Sequence, residues 1–280
     1  MDIARQVETH YGRGQILDSI MRALHEMGKD PAKVSPDDLA VVDEFHMRGR
    51  TATVELARRA TLTPGLKVLD VGSGLGGSAR YLAGEFGCRV TGIDLTKEYV
   101  DIANALAELV GMRDVVMFRQ GSALDLPFGD GSFDVVWTEH VQMNIGDKRG
   151  FYGEIARVLA PRGRLLFHDI FQGPGGALYY PVPWAEDASI SFLATPETLR
   201  DVLTDLGFSI LDWDDKSEVS LESFVAAVEK LKISGPPPLG FHLLTGNTSM
   251  LKRENNIRNL REKRSIVVQA VAEKSTWRDA

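Results

Sequence analysis

The feature that most restricts what this chain can fold into is a glycine-rich turn set between an apolar run and a helical one. Lys67–Val71 reads as a buried strand. It runs into Asp70-Val71-Gly72-Ser73-Gly74-Leu75-Gly76-Gly77, and Ala79, Leu82, Ala83 and Phe86 then recur at helical spacing. Gly72, Gly74 and Gly77 satisfy G-x-G-x-x-G, a pattern that opens a helix close behind a strand and leaves room for a ligand at the strand's carboxyl end. A strand–turn–helix unit of this kind belongs at one edge of a parallel sheet.

The rest of the chain repeats the unit. Cys88–Ile93, Val115–Arg119, Phe133–Thr138 and Arg164–Asp169 read as further strands. Between them lie helical faces built from Val100, Ala103, Ala107 and Val110, and from Phe151, Ile155, Val158 and Leu159, the latter leading through Pro161-Arg162-Gly163. Strands alternating with helices imply parallel strands joined by right-handed crossovers, hence an α/β doubly wound sheet. Thr195-Pro196 carries the N-cap and first-turn signature of another helix, with Leu199, Val202, Leu203 and Leu206 inward and Gly207 at its end. Phe208–Trp213 and Ser265–Ala272 complete the strands.

Residues 14–27 place Ile16, Ile20, Ala23, Leu24 and Met27 on one helical face, and 217–262 reads as helical, interrupted at Gly235-Pro236-Pro237-Pro238. The expected organisation is N-terminal cap helices over 1–50, a core over 51–216, a helical cap insertion over 217–262, and the last strand and tail over 263–280.

Composition excludes several classes. With 44% hydrophobic and 25% charged residues in 280, the chain has the makings of an ordinary packed core. A net charge of −7 argues against a nucleic-acid backbone or an anionic membrane as main partner. Cys88 is the only cysteine and forms no internal disulfide, and no Cys/His group has zinc spacing, so no metal is expected. The first thirty residues mix charge with apolar residues, unlike a signal peptide, and no apolar run approaches the roughly 18–20 residues of a membrane helix. The reducing cytoplasm is the expected location.

Asp70 separates two ligand classes. A carboxylate at the end of a buried strand costs several kcal/mol unless paired, and a pyrophosphate beside it adds repulsion. S-adenosylmethionine, with a sulfonium, an ammonium and no phosphate, suits the turn better than NAD. Asp94, 17 residues after Gly77 at the end of the second strand, is placed to accept bonds from ribose hydroxyls.

The segments VLDVGSGLGGSARYLA, GIDLT and GSALDLPFGDGSFDVVWTEHV together resemble the class I S-adenosylmethionine-dependent methyltransferases. Within them the chain is similar to the small-molecule branch of sarcosine/dimethylglycine N-methyltransferases, phosphoethanolamine methyltransferases and mycolic acid cyclopropane synthases, over about residues 40–212. The resemblance implies a Rossmann-like, seven-stranded, mostly parallel sheet with Ser265–Ala272 antiparallel. It also implies that Asp70, Gly72, Ser73 and Gly74 line the methionine part of the cofactor, and that Asp94 holds the ribose. Leu95, Ser122 and Ala123 would lie at the adenine, and Thr138 and Glu139 beside the methyl group. His46 and Arg48–Arg50 match a segment that reaches the cofactor's carboxylate in relatives.

On the acceptor side, deprotonating an aliphatic amine of pKa about 10.4 at pH 7 costs roughly 4–5 kcal/mol, so such an acceptor needs a base or a desolvating pocket. Relatives pair a histidine with an N-terminal tyrosine. Tyr11 matches the tyrosine, but Asn144 stands where the histidine belongs and takes no proton. His140, four residues upstream, is the alternative base, or else a histidine that only hydrogen-bonds near the cofactor. Met143, Asn144, Tyr180 and Trp184 are the expected acceptor contacts. Tyr179 and Phe192 lie in the same aromatic loop, Gly173–Leu193, where Glu186 and Asp187 would favour a cation; the aromatics would otherwise only pack the cap onto the sheet. The basic stretch Leu251–Arg264 reads as a solvated helix face.

The reading that follows is methyl transfer from S-adenosylmethionine, with S-adenosylhomocysteine as product, to a small-molecule acceptor, an amine nitrogen first. Oxygen or carbon acceptors, an NAD-dependent oxidoreductase, and a binding protein that keeps the pocket without catalysis stay open as alternatives. A homodimer is also left open.

Overall fold

The computed structural model describes residues 2–12 and 14–276; 277–280, assigned above to the tail, lie outside the described residues. The chain begins with three helices, α1 (Ile3–Tyr11), α2 (Ile16–Glu26) and α3 (Pro36–Asp43), followed by α4 (Arg50–Arg59). The alternating part comprises β1 (Lys67–Val71), α5 (Gly77–Phe86), β2 (Arg89–Asp94), α6 (Lys97–Leu109), β3 (Val116–Gln120), β4 (Phe133–Glu139), α7 (Lys148–Val158), β5 (Leu159–Gln172), α8 (Pro196–Asp205) and β6 (Phe208–Asp215). Three further helices, α9 (Ser217–Ser234), α10 (His242–Thr245) and α11 (Ser249–Arg261), precede β7 (Ser265–Lys274).

The seven strands form one sheet in the order β3-β2-β1-β4-β5-β7-β6. β1 to β5 pair in parallel, whereas β7 is antiparallel to both β5 and β6. The reversal follows from the insertion. β6 ends at the carboxyl edge, α9 to α11 occupy that edge, and β7 re-enters the sheet from it without crossing to the other side.

Strand alternation sorts the core into two layers. Leu69, Val71, Ile93 and Val136 face Phe151, Ile155 and Val158 of α7 and Leu199 and Leu203 of α8. Val68, Val90, Val135 and Trp137 face Leu56 of α4, Leu82 of α5 and Ala103 of α6. The cap has its own apolar joints, where Ile16, Ile20 and Leu24 of α2 pack with Leu75, Ile102 and Leu244.

Four expectations shift locally. Met27 lies beyond α2 as its C-cap residue and is exposed, because the helix ends at Glu26. Leu159 belongs to β5 rather than α7, pairing with Phe133 before a register shift. Pro161-Arg162-Gly163 is thus an irregularity inside β5, with Arg162 at φ +61°, rather than a turn before it. β5 also runs on to Gln172, because β7 pairs with it as far as Gln172 opposite Ser265.

The cap is clamped to the glycine-rich turn by a fully buried ion pair. Arg80 of α5 donates to Asp43 of α3 at 2.5 Å and to the Leu75 carbonyl at 2.7 Å. Removing one partner of such a pair strands the other charge, at a cost of about 3–5 kcal/mol. Asp43→Ala is therefore expected to lower unfolding stability by about that amount, read from the urea midpoint with the denaturant slope unchanged.

Candidate active site at the carboxyl edge

The turn after β1 cannot carry side chains where it approaches β4. Gly72 has φ +72°, and a Cβ there would overlap the Val141 side chain; a Cβ on Gly76, at φ +83°, would overlap Phe118. The turn is held from below. Asp94 accepts the Gly74 N–H at 2.9 Å on one carboxylate oxygen and the Thr96 N–H at 2.8 Å on the other. The loop after β4 is held in the same way, Asp169 accepting the Val141 and Gln142 N–H groups at 3.0 Å each. Lys148 adds bonds from its Nζ to the carbonyls of Gln142, Ile145 and Phe192. Burial raises Asp169 to about 6 and lowers Lys148 to about 8.

Three connected cavities lie between these loops and the cap. The outer one, of about 400 Å³, is lined by Gly72, Gly74, Asp94, Leu95, Ser122 and Ala123, and on its far side by Tyr11 and Asn144. A small recess beneath the turn is walled by Asp43, Asp70, Ser73, Ser78, Glu139 and His46. An inner cavity of about 40 Å³ lies under the cap, lined among others by Met47, Met143, Trp184, Phe241, Lys252 and Asn256. His140 and Phe45 border all three.

The recess is strongly acidic. Asp70 is 3% exposed, and its Oδ2 has no hydrogen-bond partner. Its carboxyl is held well above the usual range, first by burial and then by the charges of Glu139, Asp94 and Glu44. Burial likewise raises Glu139 to about 7, although Ser78, Thr53 and the Trp137 indole all donate to it. The Ser73 hydroxyl is buried and also unpartnered.

His140 stands in the left-handed region at φ +54°, a conformation that costs a residue with a side chain of order 1 kcal/mol and often marks a functional site. Its backbone N–H donates to the His168 carbonyl at 2.9 Å, its ring stacks on His168 at 5.1 Å, and its Nε2 is buried without a partner. Burial and the neighbouring His168 and His46 rings push it well below the usual histidine range, so it is neutral at pH 7. Tyr11 donates to Asn144 Oδ1 at 2.9 Å, and burial keeps its phenol protonated far above the ordinary value. Asn144 in turn donates to the Trp184 and Ile190 carbonyls at 3.0 and 2.8 Å.

Most of the residues picked out from the sequence border these cavities, but several do not. Thr138 is fully buried and lines none of them, because it shares the strand face of Val136, turned toward α7. Tyr180 packs with Val7, Met47 and Trp184 rather than facing a cavity. Asn144 borders the outer cavity, yet both its amide hydrogens are spent on backbone carbonyls. Arg48 and Arg50 are paired with Glu55 and Glu44, leaving only His46 of that segment in the recess. Tyr179 lies under the Arg258 and Arg264 guanidiniums, away from the site.

Two corrections concern charge. Glu186 pairs with Lys252 and Asp187 caps a turn at the surface, so neither presents a free carboxylate to the inner cavity. The stretch 251–264 is not a plain solvated face: Lys252, Asn256 and Asn259 are fully buried, while Leu251 is 48% exposed. Their i, i+4, i+7 spacing was the legible signal, a polar stripe in the place of an apolar one. No group of acidic, histidine or cysteine side chains suited to a metal occurs among the described residues. Among those residues no helix is long and apolar enough to cross a membrane.

Comparison with known proteins agrees with this geometry. A family model described as "Methyltransferase domain" matches residues 69–167. The O-methyltransferase resE of Aspergillus sclerotiorum is 30% identical over 203 residues, covering 71% of this chain and 75% of the relative. The glycine/sarcosine/dimethylglycine N-methyltransferase of Actinopolyspora halophila is 29% identical over 207 residues, 71% of this chain but 37% of that protein. The chain spans only about a third of the length of several curated relatives it matches. The fold is shared with the phosphoethanolamine N-methyltransferase 2 of Haemonchus contortus at a TM-score of 0.75 and 19% identity, over 96% of this chain and 60% of that one. The chain belongs to the class I S-adenosylmethionine-dependent methyltransferases.

Because the turn and the β4 loop touch at Gly72, Gly72→Ala should cost about 2–4 kcal/mol, combining the left-handed backbone with overpacking against Val141. Thermal unfolding checks it, with Gly14→Ala, whose added Cβ meets nothing, as the control for backbone conformation alone.

Proposed function

We propose that the protein transfers a methyl group from S-adenosylmethionine to a small-molecule acceptor, with an amine nitrogen as the first candidate for the accepting atom. The observation that carries the cofactor reading is the buried, unpartnered Asp70 carboxyl in a recess walled by other acids. That environment favours a ligand with ammonium and sulfonium charges and opposes a pyrophosphate. The cofactor supplies an electrophilic methyl on a positively charged sulfur.

The chain's residues supply binding and alignment. Asp94 spends one acceptor site of each oxygen on backbone N–H groups, leaving the others for two ribose hydroxyls. Leu95, Ser122 and Ala123 wall the adenine end of the outer cavity, and the Ser122 hydroxyl, which accepts the Leu124 N–H at 3.1 Å, keeps its own O–H to donate. Glu139 and Asp70 face the charged end. The acceptor enters the inner cavity, and alignment there supplies most of the barrier lowering. His140, neutral with a free Nε2 where the cavities meet, takes the proton from the acceptor nitrogen. Tyr11 keeps its proton and holds α1 against the β4 loop through Asn144. Relatives named as both N- and O-methyltransferases support the reaction class and leave oxygen as the alternative acceptor.

The primary test is S-adenosylhomocysteine release across amines, phenols, thiols and carboxylic acids, with S-adenosylmethionine titrated against NADH; binding of the nucleotide alone would overturn the assignment. Glu139 sets the pH dependence of binding. It is neutral below about pH 7 and anionic above, so affinity for the cationic cofactor should rise about tenfold from pH 6 to 8. The Glu139→Gln variant should lose most of that rise, the remainder reflecting Glu44, which burial also raises to about 7. For His140→Ala, turnover should fall about 10²–10⁴-fold with cofactor affinity retained; unchanged turnover removes it as the base.

A further inference from the structure

The inner cavity is lined by aromatic and aliphatic side chains together with His10, Tyr11, Tyr99, His140 and Thr245, and among the described residues its one cationic side chain at neutral pH comes from α11. There Lys252 and Asn256, one helical turn apart on the same face, line the cavity. Both side chains are completely buried. Both amide atoms of Asn256 lack any hydrogen-bond partner. Lys252 Nζ lies 2.5 Å from a carboxylate oxygen of Glu186, whose own side chain is 53% exposed, yet Nζ makes no hydrogen bond of good geometry. No Asp or Glu is among the described residues lining this cavity, and Trp184, Phe224 and Phe241 also line it.

A buried lysine and a buried, unsatisfied carboxamide are costly arrangements for a helix whose neighbouring Leu251 points to solvent. Their donors, Lys252 Nζ and Asn256 Nδ2, are satisfied together by a group with two adjacent oxygen acceptors and one negative charge. We propose that Lys252 and Asn256 form the recognition site for a carboxylate on the methyl acceptor, an inference that rests on the inner cavity being the acceptor site. One carboxylate oxygen accepts from Lys252 Nζ and the other from Asn256 Nδ2, while the aromatic wall takes the apolar body. A single cation matches a monoanion and is too little for a phosphate dianion. The site is independent of which atom receives the methyl, and it assigns the substrate class as small carboxylic acids with an apolar remainder.

The test uses the full chain loaded with S-adenosylhomocysteine, titrated calorimetrically with formate and acetate, sized to a cavity of about 40 Å³, against formamide and acetamide. Each carboxylate is expected to bind at least tenfold more tightly than its amide. Lys252→Met should abolish that preference, and Asn256→Leu should weaken carboxylate binding about fivefold or more, both with S-adenosylhomocysteine affinity unchanged. Glu186→Gln, which removes the competing charge but leaves an amide oxygen beside Lys252, should tighten carboxylate binding. Equal binding of acid and amide, no binding of either, or a preference untouched by Lys252→Met and Glu186→Gln overturns the proposal. Repeating the titration on unloaded protein separates the two readings. Failure of S-adenosylhomocysteine to bind, with a Lys252-dependent carboxylate preference intact, would sink the cofactor assignment and leave the carboxylate site standing.

Discussion

Gly72 sits against Val141 so closely that the turn after β1 and the turn after β4 share one van der Waals surface, and the rest of the carboxyl edge is arranged around that approach. Two buried carboxylates maintain it, each by accepting backbone N–H groups: Asp94 under the first turn and Asp169 under the second. A side-chain acceptor serves here because the chain leaves the sheet at both turns, so these donors have no strand partner. The outer cavity and the acidic recess open on either side of the joint, and His140 follows directly from it at the end of β4.

Desolvation is the common theme of the site's electrostatics. Asp70, Asp94 and Glu139 are buried together with few cations among them, which raises all three above the ordinary carboxylate range. Such a cluster is a standing preference for a cationic ligand, since each carboxyl gains when one arrives. His140 is shifted the opposite way by the same cause, because burial opposes charge of either sign. One dry cleft therefore holds acids ready to meet a cation beside an imidazole held in its neutral form.

The cap is joined to this edge by contacts of different character. The Arg80–Asp43 pair fixes α3 to the glycine-rich turn, and Tyr11 fixes α1 to the β4 loop through Asn144. α11 contributes through its buried polar stripe, with Asn259 bonded to both the N–H and the carbonyl of Tyr179. The cap thus adds buried polar side chains, Lys252 and Asn256, to the wall of the inner cavity.

The sequence by itself determined the sheet and the turns at its carboxyl edge, because both are encoded locally. Strand–helix periodicity repeats every few dozen residues, and Asp70, Gly72, Gly74 and Asp94 belong to short segments whose geometry follows from the strand they end. The inner cavity under the cap was decided only by tertiary structure. Lys252 and Asn256 come from an insertion whose polar stripe looks like a solvated face until α11 is laid over the inner cavity. Glu186 looks like a cation's partner in the sequence until it meets Lys252 across the fold. Thr138, adjacent to a site residue in the chain, is carried to the opposite face by the two-residue period of the strand. Which face a helix buries, and which carboxylate a lysine meets, depends on residues far apart in the chain, and no local pattern encodes that.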